Sequence, residues 1–273
     1  MVKAFENTGG VVYRHWTHQA PRAVFLLVHG LGAHAGRWGA AGDFFLKRGI
    51  SSYAVELKER GRSSSAGFGD YRAKLLNLRG IALKESGAAV PVFLIGESLG
   101  AVLSFIVCAE NPGSFKGLVC LSPAFTARYK VPFFDSVKML VSLLCNPNKQ
   151  FPLPFDSSMC ARDPECRARL DCDPCEYRSA SSGMIFRILA AQAQAKEALR
   201  KLNAPVLFLA GGNDLLIDPQ SIRDVFNTLS IKDKEMVEFP GMYHSLSIDT
   251  DKEKVFETIL KWVERNIVIA SSQ

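Results

Sequence analysis

Six strand-like segments recur along the chain: AVFLLVHG (23–30), a continuous apolar run, then SSYAVEL (51–57), PVFLIGES (91–98), GLVCLSPAF (117–125), APVLFLAGGND (204–214) and EMVEFPGMYH (235–244). Runs without polar alternation suit strands buried on both faces, as in a parallel sheet. VVYRHW (11–16) adds a shorter strand after a Gly-Gly turn. Between the runs the spacing turns helical. Residues 37–48 carry Trp38, Ala41, Phe44 and Phe45, and residues 68–86 carry Leu75, Leu76, Leu78, Ile81 and Leu83, with Gly80 weakening the middle. LGAVLSFIVCAE (99–110) and stretches near 219–229 and 251–266 read as further helices. Alternating strand and helix predicts an α/β protein with a mostly parallel sheet covered by helices on both faces.

One stretch breaks this rhythm. Residues 126–200 hold no clear buried strand but an apolar helical pattern at 134–144, a Pro-rich link (NPNKQFPLPF), a Cys-rich piece and a second helical pattern from 182. We read 126–200 as a helical cap inserted into a core formed by 1–125 and 201–273. Its apolar stretch VPFFDSVKMLVSLL (131–144) has two readings: a helix packed on the core, or a face that meets lipid or lines an acyl channel.

The 273 residues suffice for one large α/β unit with an insertion, or for two small domains. Hydrophobic residues make up 48% and charged residues 22%, which excludes a disordered chain. The net charge of +6 is scattered, without a focused stripe. It fits solubility or weak attraction to anionic lipid, and it argues against nucleic acid as a partner. The start MVKAFENTGG lacks a signal-peptide pattern, and no run of 18 apolar residues occurs. The expected location is therefore cytoplasmic, with peripheral membrane contact through the cap as an option. The seven cysteines are then expected as reduced thiols. No oligomeric state follows from the sequence.

Gly96-Glu97-Ser98-Leu99-Gly100 fits G-x-S-x-G, placed after an apolar strand and before a helix. A serine there sits on a tight turn at the carboxyl edge of the sheet, where open α/β sheets bind ligands. A neutral hydroxyl needs a base. In this architecture the chain order is serine, acid, histidine. Of the five histidines (15, 18, 29, 34 and 244), only His244 follows Ser98. Asp214 leaves the end of the fifth run and is the candidate orienting acid. Asp218, followed by Pro219, reads better as a helix N-cap. Acyl transfer also needs donors for an oxyanion. We assign the backbone N–H of Leu99 and that of Leu31, in the His29-Gly30-Leu31-Gly32 turn. His29 is expected to be structural, and His15 and His18 solvated. His34 is either a surface residue or part of the entrance. With Glu97 and Phe125 it forms the expected pocket lining.

Together VHGLGAHAGRW (28–38), GESLG (96–100), APVLFLAGGND (204–214) and GMYHS (241–245) resemble the monoacylglycerol lipase and lysophospholipase group of α/β-hydrolases, the serine aminopeptidase-like family. Arg162-Asp163-Pro164 and KEALRKLNAPVLFL look like the family's cap. The resemblance implies an α/β-hydrolase fold with a mostly parallel eight-stranded sheet, a lid, and an acyl-chain pocket beneath it. It carries over Ser98, Asp214 and His244 as a triad and Leu31 and Leu99 as oxyanion donors. Where such proteins have Asp-x-x-Gly-His-Gly-x-Ser, residues 56–63 here read Glu-Leu-Lys-Glu-Arg-Gly-Arg-Ser, without the histidine, and the segment 64–90 is short.

Cys160, Cys166, Cys172 and Cys175 fall within sixteen residues. Free or redox-labile thiols, a disulfide and a zinc site all remain open, although the five-residue gaps differ from paired zinc knuckles. Cys108, Cys120 and Cys145 are expected to be buried apolar residues. The expected activity is serine esterase chemistry on monoacylglycerols or similar single-chain esters, with no metal or cofactor. Rivals are a lysophospholipase, a short-chain carboxylesterase, a peptidase or C–C hydrolase, and a non-hydrolytic binding protein that uses the same pocket.

Overall fold

Backbone amides in a sheet interior must pair with one another, so the apolar runs find their places beside other runs. The computed structural model describes residues 5–57, 70–126, 128 and 133–268. In chain order the first half holds β1 (Glu6–Thr8), β2 (Val11–Trp16), β3 (Ala23–Val28), a 3-10 turn (Ala35–Trp38), α1 (Gly39–Leu46), β4 (Ile50–Val55), α2 (Tyr71–Ser86), β5 (Val92–Glu97), α3 (Leu99–Glu110) and β6 (Gly117–Leu121). Then come α4 (Phe133–Cys145), β7 (Gln150–Pro152), α5 (Ser157–Cys160), α6 (Pro164–Cys172), β8 (Ser179–Ser181) and α7 (Ser182–Ala198). The chain returns through β9 (Val206–Gly211), α8 (Pro219–Thr228), β10 (Lys234–Phe239), a second 3-10 turn (Leu246–Ile248) and α9 (Lys252–Val268).

Eight strands form one sheet in the order β1-β2-β4-β3-β5-β6-β9-β10. The pairs β1–β2 and β2–β4 are antiparallel, and every other pair is parallel. Strands β3, β4, β5, β6 and β9 are buried along their whole length, as continuous apolar runs require. β10 is the edge strand and stays half-exposed, which fits its charged residues Lys234, Glu235 and Glu238. Successive side chains point to opposite faces. Val24, Leu26 and Val28 therefore join the core layer shared with α2, α3 and α7. Ala23, Phe25 and Leu27 join the layer of Trp38, Phe45, Phe256 and Trp262 from the 3-10 turn, α1 and α9.

The segment between β6 and β9 divides in two. α7 packs on α3 and sends Met184, Ala191, Ala195 and Ala198 into the first core layer. It thus occupies the place of the crossover helix that joins two parallel neighbours. The rest of the segment includes a small antiparallel pair, β7 with β8, and meets the turn after β3, where Tyr177 N–H donates to Gly32 O (3.1 Å). Three-residue strands of this kind leave no periodic trace in the sequence. α4 turns Val137, Leu140, Val141 and Leu144 outward. Residues 58–63 of the atypical 56–63 stretch, and 131–132 at the head of the apolar cap stretch, lie outside the described residues.

Two local expectations are corrected. His15, expected in solvent, is only 5% exposed. Its ring lies between Glu6 (Nε2–Oε1 3.1 Å) and Glu85 (Nδ1–Oε2 3.6 Å), because β2 is flanked on both sides and covered by α2. Cys145, expected in the core, is exposed at the last position of α4, while Cys108 and Cys120 are buried as expected.

Trp262 lies fully within the second layer, with its ring edge-on to Phe93 at 6.0 Å. Trp262→Ala should cost roughly 3–5 kcal/mol of stability, read as a lower urea midpoint with an unchanged slope.

Candidate active site

The carboxyl ends of five adjacent parallel strands, β3, β5, β6, β9 and β10, carry the candidate residues, and the hydrogen-bond ladder of the last four continues beyond the strands. The Ser98 N–H donates to Leu121 O (2.8 Å) past the end of β5. Gly212 N–H donates to Phe239 O (2.9 Å) and Asn213 N–H to Met242 O (3.0 Å), which locks the Asp214 loop against the His244 loop.

Ser98 has φ 57° and ψ −120°, a left-handed conformation that is strained for any residue with a Cβ. Its neighbours allow this turn. A Cβ on Gly100 would stand 2.2 Å from Val28 O, and one on Gly96 would stand 2.4 Å from Gly100 O. Strand and helix therefore approach as only glycine permits. On the other side, a Cβ on Gly30 would lie 3.0 Å from Ser98 Cβ and 3.5 Å from its Oγ. This brings the turn that contains Leu31 against the serine. Leu99 opens α3, so its N–H has no acceptor one turn back. Both proposed oxyanion donors thus sit on backbone that borders Ser98.

His244 Nδ1 and Asp214 Oδ2 are 2.8 Å apart, with Asp214 1% and His244 5% exposed. The second oxygen of Asp214 accepts from Leu216 N–H (2.8 Å) and Ile217 N–H (2.9 Å). That carboxylate is held on both sides, and the imidazole tautomer follows: Nδ1 protonated, Nε2 free to take a proton. Burial works to lower the pKa of His244, but the charge and hydrogen bond of Asp214, together with Glu97, outweigh it and hold the pKa above the ordinary imidazole value. Asp218 caps α8 by accepting from Gln220 N–H (3.0 Å) and takes no part in this pair.

The three expected pocket residues have other partners. His34 caps the first 3-10 turn: its Nδ1 accepts from Gly36 N–H, and its Nε2 lies 3.0 Å from Asp173 in the cap. Phe125 is core, with its ring beside Phe105 (5.4 Å) and stacked with Phe208 (6.0 Å). Glu97 gives both carboxylate oxygens to Ser247, accepting from its N–H (2.9 Å) and its hydroxyl (2.8 Å). His29 is structural as expected: its ring meets Gly30 O, Leu57 N–H and Glu56, and Glu56 also accepts from Ala35 N–H.

Sequence reasoning left Arg37 unassigned, although it lies in the 28–38 motif. Its Nε and Nη2 donate to the two oxygens of Glu176 at 2.6 and 2.7 Å, and its Nη1 donates to Ser245 Oγ at 3.4 Å. One largely buried guanidinium thus joins the loop after β3, the inserted segment and the loop of His244. Only its position in the fold reveals this, because Glu176 is distant in sequence.

All seven cysteines are thiols. Burial pushes the Cys160 thiol up to about 11, although nearby Arg37 opposes this. Among the described residues, His34, Asp173 and Glu176 form the single group with three potential metal ligands close together. Both oxygens of Glu176 there already serve Arg37.

A mostly parallel eight-stranded sheet, with a strained serine between β5 and α3 and a buried Asp–His pair on the loops after β9 and β10, defines the α/β-hydrolase class. The family model described as Hydrolase_4, serine aminopeptidase, S33, matches residues 19–251, and the chain belongs to that family. It is 27% identical over 271 residues to a monoacylglycerol lipase of Mycolicibacterium smegmatis, covering 95% of each chain. It is 26% identical to human monoglyceride lipase, covering 95% of this chain and 88% of the relative. Among solved structures, the monoacylglycerol lipase of Paleococcus ferrophilus superposes with a TM-score of 0.78 at 26% identity, covering 94% of this chain and 99% of that one. A soluble variant of monoglyceride lipase from Saccharomyces cerevisiae, in complex with a substrate analog, shares the fold with a TM-score of 0.79 at 18% identity, covering 96% and 94%.

A fluorophosphonate should label Ser98 with an acid limb whose midpoint lies above pH 6.5, because the base is active only when neutral and its pKa is raised. Asp214→Asn should slow labelling and move that limb to lower pH. Gel-based labelling rates across pH 5–9 read both effects.

Proposed function

We propose that the chain is a serine ester hydrolase acting on monoacylglycerols, with Ser98 as nucleophile, His244 as general base and Asp214 as the residue that orients it. Ser98 attacks the ester carbonyl while His244 Nε2 accepts its proton. The Leu31 and Leu99 N–H groups stabilise the oxyanion. The proton passes to the departing glycerol oxygen, leaving an acyl-enzyme. Water, deprotonated by the same imidazole, then releases the fatty acid.

The observation that carries this reading is the buried 2.8 Å Asp214–His244 bond at the sheet edge where Ser98 is held in its strained turn. The substrate class rests on the relatives named as monoacylglycerol and monoglyceride lipases, whose lengths this chain matches nearly end to end. A single-chain ester is drawn from a lipid or micelle surface, and the exposed apolar face of α4, within the 126–200 insertion, supports contact with such a surface. No helix among the described residues is long and apolar enough to cross a membrane. Contact with lipid, in this reading, is peripheral and runs through α4, with the remainder of the chain in the aqueous phase.

A panel of glyceryl and p-nitrophenyl esters of increasing acyl length should give highest kcat/KM on long-chain monoacylglycerols. Ser98→Ala should lower kcat by roughly 10^5- to 10^6-fold. An optimum at two to four carbons without monoacylglycerol turnover would overturn the substrate assignment. The α4 surface has its own check. Leu140→Ser combined with Leu144→Ser should weaken co-sedimentation with phosphatidylcholine vesicles several-fold while leaving turnover of a soluble short ester within about twofold of the wild type, since neither side chain is packed in the core.

A further inference from the structure

Glu97 stands where an acid is expensive. Side chains at 93, 95 and 97 alternate to one face of β5, and Phe93 and Ile95 on that face belong to the second core layer with Met242, Leu246 and Phe256. A carboxylate there, 5% exposed, is tolerable only when its oxygens are hydrogen-bonded. Both are, and both to one residue. Ser247 is 1% exposed, lies in the second 3-10 turn three positions after His244, and donates its N–H and its hydroxyl. Two bonds to one carboxylate fix position and orientation together.

We propose that Glu97 is a positioning residue for the hydrolysis: it docks the His244 loop onto the strand end that carries Ser98, and its negative charge supports the protonated imidazole formed as the serine attacks. The inference rests on the assignment of Ser98 and His244 above. Glu97 touches no reacting atom. It acts through Ser247, and through space on a base whose pKa it raises.

The other charged and titratable groups around the base come from several elements. Asp214 follows β9 and holds Nδ1, while Arg37, in the first 3-10 turn, opposes Glu97 by lowering the pKa. Glu176 of the cap is bound to Arg37. Cys160 of α5 accepts Ser245 N–H at its carbonyl (3.0 Å). Further along the loop, Asp249 is paired with Arg162. Glu97 and Asp214 are thus the two anions that favour the imidazolium.

Glu97→Gln keeps the shape and an acceptor but removes the charge. Glu97→Leu removes both. The pH profile of kcat/KM on a soluble ester separates the two contributions, with thermal melting as the check on folding. The expected result for Glu97→Gln is an acid limb displaced to lower pH with a nearly intact plateau. For Glu97→Leu it is a fall in kcat on the order of 10²-fold, as befits a base displaced from its nucleophile, with KM little changed. Ser247→Ala, which keeps the backbone bond, should fall between wild type and Glu97→Leu. If Ser98→Ala is inactive while the Glu97→Gln profile superimposes on that of the wild type, the role given to Glu97 is wrong and the triad stands. If Ser98→Ala keeps full activity, the triad is wrong and the role of Glu97 falls with it.

Discussion

The hydrogen bonds that continue past the ends of β5, β6, β9 and β10 are the constraint on which the site depends. Side chains from three distant parts of the chain meet only if four parallel strands keep one register and their loops stay tied to one another. The bonds from Ser98 N–H to Leu121 O, from Ser122 N–H to Leu209 O and from Gly212 N–H to Phe239 O do this in sequence across the edge. A slip of one residue in any pair would turn its side chains to the other face. The full burial of the central strands opposes such a slip, because it would disturb packing on both core layers.

Charge pairs add to apolar packing in joining the inserted segment to the core: Cys160, Ala161, Cys166 and Leu170 pack with Leu216 and Ile248. Arg37 with Glu176, His34 with Asp173 and Arg162 with Asp249 and Asp251 all bridge the two. The first of these pairs is buried and bidentate, the geometry in which such a pair is strongest and in which loss of one partner leaves a costly buried charge. α4 presents the opposite character, with a row of outward apolar side chains. The cap therefore combines a firmly attached base with an apolar outer helix.

The sheet was legible because central parallel strands buried on both faces are largely apolar, and each of the six segments falls on a strand, including the charged, half-exposed edge strand β10. The turn of Ser98 was legible because its glycines are dictated by backbone approach: Gly96 and Gly100 leave no room for a Cβ. The pairing of His244 with Asp214 rather than Asp218 followed from where each acid leaves its strand or begins its helix, and the distances agree. Side-chain partners across long separations were not legible. Glu97, His34 and Phe125 were expected to line a pocket, yet they meet Ser247, Asp173, and Phe105 with Phe208. No local period encodes such meetings. The burial of His15 was missed for the same reason: its carboxylate neighbours come from another strand and from α2. α7 was read with the cap because its sequence lies in the inserted stretch, while its alanines pack it on α3.

The sharing of the histidine loop between core and cap has a consequence for how this scaffold can be altered. Ser245 receives Arg37 at its hydroxyl and gives its N–H to the Cys160 carbonyl, so the residue next to His244 is braced from the inserted segment as well as from the core. Insertions over a sheet edge are often regarded as interchangeable modules that tune which molecules enter. Here the inserted segment also braces the loop that carries His244. A chimera carrying a foreign insertion would need to supply a carbonyl in place of that of Cys160 and a carboxylate in place of Glu176, or the exchange would weaken chemistry and selectivity together.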